Sequence, residues 1–439
     1  MRLIDQVLLI RVILNCAKFT LQSCTMRIFL NCILFLALIF SSALLNAQVI
    51  KVCSDCQFRS IKEAIQMASP HDTILVQRGT YFENNIEIKK PLTLIGVDKP
   101  LIDGRFKEAI IEITADSVTL NGFIIQNVGV SYTKDFAAVH LYRSKYFTLE
   151  NNELRNVFFG MLIEKSHYGT ISNNIISSNA KEEFSSGNGI HMWHSSNVTI
   201  ANNHLSHLRD GIYLEFVSES QIINNISTEN LRYGLHFMFS NNNDYYDNQF
   251  INNGAGVAVM FSKFIKMKRN RFFKNWGTAS YGLLLKEIYD AEIEDNVFEE
   301  NTIGINIEGS TRINYLNNDF KSNGWAVKIA GGCYANIFSN NNFLSNSFDL
   351  SYNGKMNDNL FDSNYWSSYS GYDLDKDGIG DVPYRPVKLF SYIVNRTPET
   401  IILLRSLFID ILNFSERVSP IFTPDDLVDA SPKMKLIDD

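Results

Sequence analysis

Histidine and methionine side chains gather in the middle of this 439-residue chain. The stretch from Asn188 to His207 contains four of the eight histidines. Farther along, His236, Met238 and Met260 add one more imidazole and two thioethers. Imidazole and thioether together suit a soft or borderline metal ion, and Cu(I) best of all. These residue types raise the hypothesis of a copper site, provided that the fold brings them to one surface.

A second group of ligand-type residues is Asp373-Leu-Asp375-Lys-Asp377-Gly-Ile-Gly-Asp381. Carboxylates occupy positions 1, 3, 5 and 9 with glycine at position 6, which is the opening of a calcium-binding loop. Position 12 is Tyr384 instead of the bidentate glutamate, so the pattern predicts an incomplete loop with a structural calcium ion. The alternative is a polar turn held by Asx hydrogen bonds.

The elements that must position these residues recur along the chain. A repeated asparagine returns every 22 to 29 residues, at Asn152, Asn174, Asn203, Asn225, Asn248, Asn270, Asn296 and Asn318. A period near 22 with three short β-rich pieces predicts an all-β fold, a right-handed parallel β-helix or solenoid whose strands stack about 4.8 Å apart. The repeated asparagine is expected to be a turn residue with left-handed backbone and stacked amides, and to have no binding role.

The repeat and its two ends divide the chain into five segments. We predict a signal peptide region in residues 1–47 with the true start at Met26, an N-terminal cap and first coils in 48–128, β-helix repeats in 129–364, an Asp-rich loop module in 365–387, and a helical tail for docking or capping in 388–439. An amphipathic helix cap is predicted in FRSIKEAIQMAS, where Ile61, Ala64, Ile65 and Ala68 share a face. The tail is interrupted by Arg405 and Asp410, so it is not expected to span a membrane.

Charge and cysteine content limit the classes of partner. Removing residues 1–47 takes four basic and one acidic residue from totals of 40 and 47, which leaves a net charge near −10. This acidic balance argues against a nucleic-acid partner. Export favours a disulfide between Cys53 and Cys56 over a metal pair, and Cys333 is expected to be a small apolar side chain on a strand.

Alternation along the strands predicts which side chains face outward. One strand of each repeat starts at a glycine, or at Ala138 in an earlier coil, and the next residue is always apolar, which predicts a core column. Two residues on, the column reads His140, Leu162, His191, Tyr213, His236 and Ala258; four residues on, it reads Tyr142, Glu164, Trp193, Glu215, Met238 and Met260. Both columns are expected to face outward, side by side, and together they are called the outward strip.

Three interpretations of the outward strip are open. The first is a copper site with His140, His191, His236, Met238 and Met260 as ligands. The histidines recur in every second coil, about 9 to 10 Å apart, so one ion would need intervening residues or a partner's side chains as well. The second is a polysaccharide-binding or polysaccharide-modifying groove, and the third is a protein-docking surface with incidental histidines.

An enzyme is not expected. Glu164 and Glu215 are two coils apart with Trp193 between them, and we find no pair of aspartates with a nearby Arg or Lys on neighbouring coils. Lyase or epimerase chemistry on the β-helix is therefore unsupported. The 29-residue coil carries an extra loop, Lys181–Gly187, just before the strip, and such insertions often border a binding site.

The chain resembles the NosD family of nitrous oxide reductase maturation proteins. The resemblance is carried by FAAVHLYRSKYF, FFGMLIEKSHYG, EEFSSGNGIHMWHSSNV, LRDGIYLEFVSES, LRYGLHFMFSNNNDYYDN, GAGVAVMFSKF and NYWSSYSGYDLDKDGIGDVPYRPVKLF. It extends from the helix cap to about Thr423. The HFMFS coil and the end module together make it more specific than a generic β-helix match.

The resemblance implies an exported, periplasmic and non-catalytic accessory protein. Such a protein would work with an ABC transporter and a copper chaperone to supply copper for the copper-sulfur centre of nitrous oxide reductase. The family's characteristic coils emphasise His191, Met192, Trp193, His236 and Met238, although alternation points Met192 inward. The resemblance also implies that residues 384–414 dock on the membrane subunit of the transporter, so membrane contact would occur only through partners. The alternative role for this segment is a hydrophobic lid on the open end of the solenoid.

Overall fold

Short strands and polar turns wind into three parallel sheets in the computed structural model. The structure describes residues 47–131, 133–179, 181–354, 358–418 and 427–437, and Val49–Asp439 is one compact unit. The predicted signal peptide lies outside the described residues apart from Ala47. Within the described part of the chain, no helix combines the length and apolar character needed to cross a membrane.

Each coil contributes one strand to each sheet, and equivalent strands of successive coils pair in parallel. Among the described residues the first sheet has 14 strands, the second 13 and the third 12. The first contains Val49–Val52, Thr73–Val76, Thr93–Gly96, Thr119–Asn121, Thr148–Glu150, His167–Ser172, Ser196–Ala201, Gln221–Ile223, Asp244–Tyr246, Lys263–Lys268, Tyr289–Glu294, Thr311–Leu316, Ile337–Ser339 and Leu360–Asp362. The second contains Thr80–Tyr81, Leu101–Asp103, Ile124–Gln126, Glu153–Arg155, Ile175–Ser177, His204–Ser206, Ile226–Thr228, Gln249–Ile251, Arg271–Phe273, Val297–Glu299, Asp319–Lys321, Asn342–Leu344 and Tyr365–Trp366. The third contains Ile86–Ile88, Ile111–Ile113, Ala137–Tyr142, Phe159–Glu164, Ile190–Trp193, Asp210–Glu215, Tyr233–Met238, Ala255–Met260, Leu283–Lys286, Ile303–Glu308, Trp325–Ala330 and Phe348–Asn353.

The core is a stack of apolar layers, one layer per coil. The column predicted to face inward on the third sheet has no exposed surface at Val139, Met161, Ile190, Ile212, Leu235, Val257, Leu283 and Ile305. Met192 is also fully buried, which confirms that it points inward. On the second sheet, Phe250, Phe272, Phe298, Phe320, Phe343 and Trp366 stack in succession. The prediction of an all-β parallel β-helix is confirmed.

The repeated asparagines form a buried hydrogen-bonded ladder. Asn248 Oδ1 accepts from the backbone N–H of Asn225 at 2.9 Å and from its side-chain amide at 3.0 Å. Asn248 Nδ2 donates to Asn270 Oδ1 at 3.0 Å and to the carbonyl of Ile222 at 2.8 Å. The left-handed backbone was predicted for the wrong residue, because the residue before the ladder asparagine adopts it, as Asp247 does with φ 57°. The buried amide itself faces the interior, where it satisfies backbone groups of the turn.

Glycine lies directly before or directly after the first residue of most strands of the third sheet, because there is no room for a side chain there. A Cβ added to Gly211 would lie 2.0 Å from Ser227 Oγ and 2.6 Å from the carbonyl oxygen of Gly234. Contacts this short require the backbone of the next coil to move. Close approach of successive coils therefore fixes the point at which each strand starts, and with it the direction of the side chains that follow.

The N-terminal end is closed by helix α1, Ile61–Met67, as predicted. Its buried face consists of Ile61, Ala64 and Ile65, and its N-cap is Ser60, whose hydroxyl accepts from Glu63 N–H. Cys53 and Cys56 form the expected disulfide. Cys333 is buried as expected, but it lies in a turn after Ala330 and not on a strand.

The C-terminal tail packs against the outer face of the third sheet. It contains α2, Leu389–Arg396, a 3₁₀ helix, Pro398–Leu403, and α3, Leu407–Val418. Phe390, Val394 and Ile409 bury themselves against Trp325 and Phe348 of the last coils. The rest of the tail leaves large apolar side chains exposed: Ile401, Ile402, Leu403, Leu407, Phe408, Ile411 and Phe414.

The open end of the solenoid is covered by residues 427–437, which return to the last coil and are not helical. Asp429 and Tyr384 exchange two backbone hydrogen bonds of 2.9 Å, and Tyr384 packs on Trp366. The fully buried Asp429 carboxylate accepts from Asn364, the last ladder asparagine. The predicted helical tail, 388–439, is therefore helical only through Val418 in the described residues, and its final segment caps the end.

Candidate metal site

The outward strip lies on the third sheet in the predicted register. His140, Leu162, His191, Tyr213 and His236 are aligned on successive strands. The three histidines are therefore separated from one another by a leucine and a tyrosine. Since a rung is about 4.8 Å, they are too far apart for a single ion to bind all three.

The imidazole of His140 is hydrogen-bonded to the carboxylate of Glu164. Its Nε2 lies 2.6 Å from Glu164 Oε2 on the next strand, and both side chains are partly exposed. The register that aligns Tyr142 with Glu164 also places this carboxylate beside the imidazole. The structure thus places His140 in a hydrogen-bonded pair with Glu164, apart from the methionines.

His191 is held by a neutral hydrogen bond and by aromatic rings. Arg209 Nε donates to Asn188 Oδ1 at 3.2 Å, so the amide nitrogen of Asn188 faces His191 Nδ1, at 3.4 Å. The imidazole packs edge-on to the Tyr213 ring, with centroids 4.7 Å apart. Burial lowers the pKa of His191 to about 4. A neutral ring that accepts at Nδ1 carries its proton at Nε2, which leaves no free lone pair for a metal ion.

His236 is the most enclosed of the three and has unsatisfied ring nitrogens. The residue is 6% exposed, and neither Nδ1 nor Nε2 has a hydrogen-bond partner among the described residues. The rings of Tyr213 and Tyr233 lie against it, each with centroids 4.8 Å away. A buried polar group without a partner is costly, and in native proteins it calls for an explanation such as a ligand.

Met238 and Met260 lie next to His236 on the same face. Met238 follows His236 by two residues on one strand, and Met260 is its register partner on the next strand. Both thioethers are half-buried, and Tyr213 Oη donates weakly to Met238 Sδ at 3.9 Å. The register therefore places three of the five predicted copper ligands on two adjacent strands of one face, and it places His140 and His191 on other strands.

Sequence reasoning missed a buried ion pair behind His236. Asp210 is fully buried, and Arg232 binds it through Nε at 2.9 Å and Nη2 at 2.5 Å. Asp210 lies directly before Gly211 and Arg232 lies two residues before Gly234, so neither residue belongs to the two columns that were followed. Aligning Arg209-Asp210-Gly with Arg232-Tyr233-Gly would have revealed charged residues at that position. From the sequence we found no pair of aspartates near a basic residue. The structure has one aspartate, Asp210, beside an arginine of the next coil, but it is fully buried and has no second aspartate beside it in the part of the chain that the structure describes.

An aromatic ladder runs along the edge of the strip. The rings of His194, Phe216, Phe239 and Phe261 stack on successive coils, with centroids 4.6 to 5.2 Å apart. Each residue has a left-handed backbone, with φ between 48° and 54°. Such a backbone is unusual for a bulky side chain. The phenylalanines follow Glu215, Met238 and Met260 directly, so the thioethers border an apolar edge.

The acidic loop brings its first three carboxylates together. Oxygens of Asp373, Asp375 and Asp377 lie within 4.8 Å of one another, and Gly378 has φ 86°. The same side chains accept from backbone N–H groups, for example Asp373 Oδ2 from Gly378 at 3.0 Å. Asp381 Oδ2 accepts from Leu374 N–H at 2.8 Å. Both the calcium ion and the Asx turn remain compatible with this geometry, so calcium binding stays a prediction.

Calcium is expected to bind this loop with a Kd of about 10⁻⁴ to 10⁻³ M, the range of extracellular modules, because the bidentate glutamate is missing. Isothermal titration calorimetry with CaCl₂ measures it. The double substitution Asp375→Asn and Asp377→Asn should abolish the heat, whereas Asp290→Asn on the first sheet should not. Equal heats for the wild type and the double variant would contradict the prediction.

Comparison with known proteins adds to this geometry. Residues 181–371 match a family model described as periplasmic copper-binding protein (NosD). A curated relative from Pseudomonas aeruginosa, named probable ABC transporter binding protein NosD, is 26% identical over 404 residues, covering 81% of this chain and 86% of that protein. A protein of the same name from Stutzerimonas stutzeri is 26% identical over 405 residues, covering 81% and 85%.

Solved structures share the fold. The A-module of the mannuronan C-5 epimerase AlgE6 from Azotobacter vinelandii aligns with a TM-score of 0.58 at 12% identity, over 69% of this chain and 95% of that one. PfbA, a surface adhesin of Streptococcus pneumoniae, aligns with a TM-score of 0.52 at 13% identity, over 73% and 92%. At such identities the likeness concerns the β-helix alone.

Proposed function

The chain belongs to the NosD family, and from that premise we propose that it is an exported, non-catalytic protein that binds Cu(I) transiently in the periplasm. The copper would be passed on, together with an ABC transporter and a copper chaperone, to assemble the copper-sulfur centre of nitrous oxide reductase. The family description and the names of the relatives support copper binding and a transporter partner.

The observation that carries this proposal is the buried imidazole of His236, whose ring nitrogens have no hydrogen-bond partner among the described residues, on the same face as Met238 and Met260. One imidazole and two thioethers form a soft donor set, which favours Cu(I) over hard cations. Three neutral ligands leave the ion with its positive charge, so binding is weaker than at a thiolate site. A weak site whose thioethers face outward suits a protein that must give its cargo to a partner.

The exposed tail supports docking on a membrane partner. Ile402 is 87% exposed and Leu407 is 74% exposed, and Phe414 also remains uncovered beyond the part of the tail that packs on the solenoid. Exposed apolar patches of this kind typically mark interaction sites. We assign residues 384–414 to contact with the transporter, and the aromatic ladder to the side from which a copper partner approaches the thioethers.

The polysaccharide alternative has less support. Glu164 is already engaged by His140, and Lys165 lies over the Trp193 ring, 5.0 Å from its centroid. The carboxylate and the ring face that would serve a sugar are therefore occupied. The similarity to an epimerase concerns the fold and carries no argument for its chemistry.

Cu(I) competition tests the proposal. Protein spanning residues 48–439 is titrated anaerobically against a chromogenic Cu(I) chelator, together with His236→Leu, the double variant Met238→Leu/Met260→Leu, and His191→Leu. We expect the first two variants to bind more than about 100-fold more weakly, because each removes direct ligands, whose loss should cost more than that of outer-shell residues. His191→Leu, from the same column, should bind as the wild type does.

The three outcomes separate the alternatives. Loss of binding in His191→Leu but not in His236→Leu would place the copper site on the coil of His191 and would contradict the assignment to His236. A wild-type protein that cannot compete for Cu(I) would refute direct copper binding. A Cys53→Ser/Cys56→Ser variant that alone loses binding would assign the metal to the N-terminal end instead.

A further inference from the structure

The buried ion pair behind His236 needs a reason beyond stability. Asp210 has no exposed surface, and Arg232 grips both of its carboxylate oxygens. Arg232 remains partly exposed, but burying the Asp210 carboxylate costs about as much as the attraction between the two charges returns, so apolar residues would serve the fold equally well. The aligned positions on other strands are neutral: Ala137, Phe159, Tyr233, Ala255, Ile303, Trp325 and Phe348. The charge is therefore specific to the coil next to His236.

The carboxylate faces one particular nitrogen of that histidine. His236 Nδ1 lies 3.9 Å from Asp210 Oδ2, which is about 1 Å longer than a hydrogen bond. Because Arg232 donates to both of its oxygens, Asp210 is a carboxylate, and it can only accept a hydrogen bond from a nitrogen that carries a proton. Arg232 and the backbone of Tyr233 hold the carboxylate in place, since Tyr233 N–H also donates to Oδ1 at 3.3 Å.

We propose that Asp210, oriented by Arg232, is a positioning residue that keeps the proton of His236 on Nδ1 and leaves Nε2 free to bind a metal ion. This inference rests on the proposed function for the identity of the metal. The tautomer of His236 depends only on its contact with Asp210. A carboxylate behind a ligating imidazole fixes the ring orientation and raises the basicity of the ligating nitrogen. A small rotation of the ring on metal binding closes the 3.9 Å gap to a charge-assisted hydrogen bond.

The first experiment reads the tautomer without any metal. In protein spanning residues 48–439, labelled with ¹⁵N-histidine, two-dimensional imidazole correlation spectra distinguish a ring protonated at Nδ1 from one protonated at Nε2. The signals of His236 are assigned by their loss in His236→Leu. We expect the wild type to be protonated at Nδ1 and Asp210→Asn to shift towards a mixture of tautomers. A wild-type His236 protonated at Nε2 would overturn the inference.

The second experiment measures Cu(I) affinity. Asp210→Asn is expected to bind Cu(I) about 10- to 100-fold more weakly, as is typical when an outer-shell partner of a ligand is lost. Glu164→Gln is the matched control, because it removes a carboxylate from another histidine of the same strip, His140, and should leave the affinity unchanged. If Asp210→Asn does not fold, Arg232→Lys keeps the charge but loses the two-pronged grip, and should still weaken binding several-fold.

Failure of this inference is distinguishable from failure of the proposed function. A wild type without Cu(I) affinity refutes the proposed function, while the tautomer spectra still decide the role of Asp210. A wild type that binds Cu(I), with Asp210→Asn equal to it in both affinity and His236 spectrum, refutes only the role of Asp210.

Discussion

The substitution Asp429→Ala is expected to lower the free energy of unfolding by about 3 to 5 kcal/mol, because several buried donors lose their acceptor at a cost of about 1 to 3 kcal/mol each. The Oδ2 atom accepts from Asn364 N–H at 3.1 Å, from Asn364 Nδ2 at 3.0 Å and from Trp366 Nε1 at 2.9 Å. Oδ1 accepts from Ser431 N–H at 3.1 Å. Alanine leaves these donors without an acceptor at a site closed to water. Urea unfolding followed by circular dichroism measures the loss.

The loss should begin at one end of the molecule. Contacts in a solenoid are made between neighbouring coils, so removal of the last rung frays the adjacent coils first. Hydrogen exchange should therefore accelerate in residues 337–366 before it does so near α1. Asp290→Ala is the control, because its ion pair with Arg312 is exposed, and such pairs contribute little. An Asp429→Ala protein as stable as this control would contradict the prediction.

The hydrogen bonds of the asparagine ladder explain why an aspartate, Asp429, stands at its end. Every ladder asparagine accepts from the coil before it and donates onward to the next, as Asn248 does. The last member has no further coil to donate to, so an acceptor-only carboxylate completes the ladder without an unsatisfied N–H group. The substitution Asp429→Asn would restore such a group, which is why aspartate fits this position better than the residue repeated along the rest of the column.

The repeated part of the fold was predictable from sequence because each coil is a local copy of its neighbours. A 22-residue period, a glycine and the alternation after it sufficed to place Ile190 in the core and His191 on the outer face. The end of the molecule was not predictable in this way. Asp429 meets Asn364 across 65 residues of sequence, and no period connects them. Sequence patterns indicated that the tail contains helices, but they gave neither its packing on Trp325 nor the non-helical segment that caps the end.

The columns of side chains at the candidate site were predictable from sequence, but the burial and the hydrogen-bond partners of these side chains were not. Facing away from the core was equated with facing water, yet His236 is 6% exposed because Tyr213 and Tyr233 cover it. Register alone cannot tell His140, which is hydrogen-bonded to Glu164, from His236, whose ring nitrogens have no hydrogen-bond partner in the described part of the chain. Those differences depend on side-chain neighbours from the adjacent coils, and they decide which of the five predicted ligands can act together.

His191 is expected to make the protein acid-sensitive. Burial lowers the pKa of this imidazole from 6.5 to about 4, so the folded state resists a proton that the unfolded chain accepts. The stabilisation is fully present above pH 6.5 and is lost as the pH falls through 4. The difference between the two pKa values amounts to about 3 kcal/mol at pH 4.

Urea unfolding at a series of pH values from 8 to 4, for the wild type and His191→Asn, isolates this effect. Asparagine cannot titrate, but its amide can still meet Asn188, so the variant should lose about 3 kcal/mol less stability over the range than the wild type does. The comparison is needed because Asp349 acts in the opposite direction. Burial raises its pKa to about 6, so its contribution grows as the pH falls, equally in both proteins. Parallel stability profiles for the two proteins would show that the imidazole is solvated, and would return His191 to the set of accessible metal ligands.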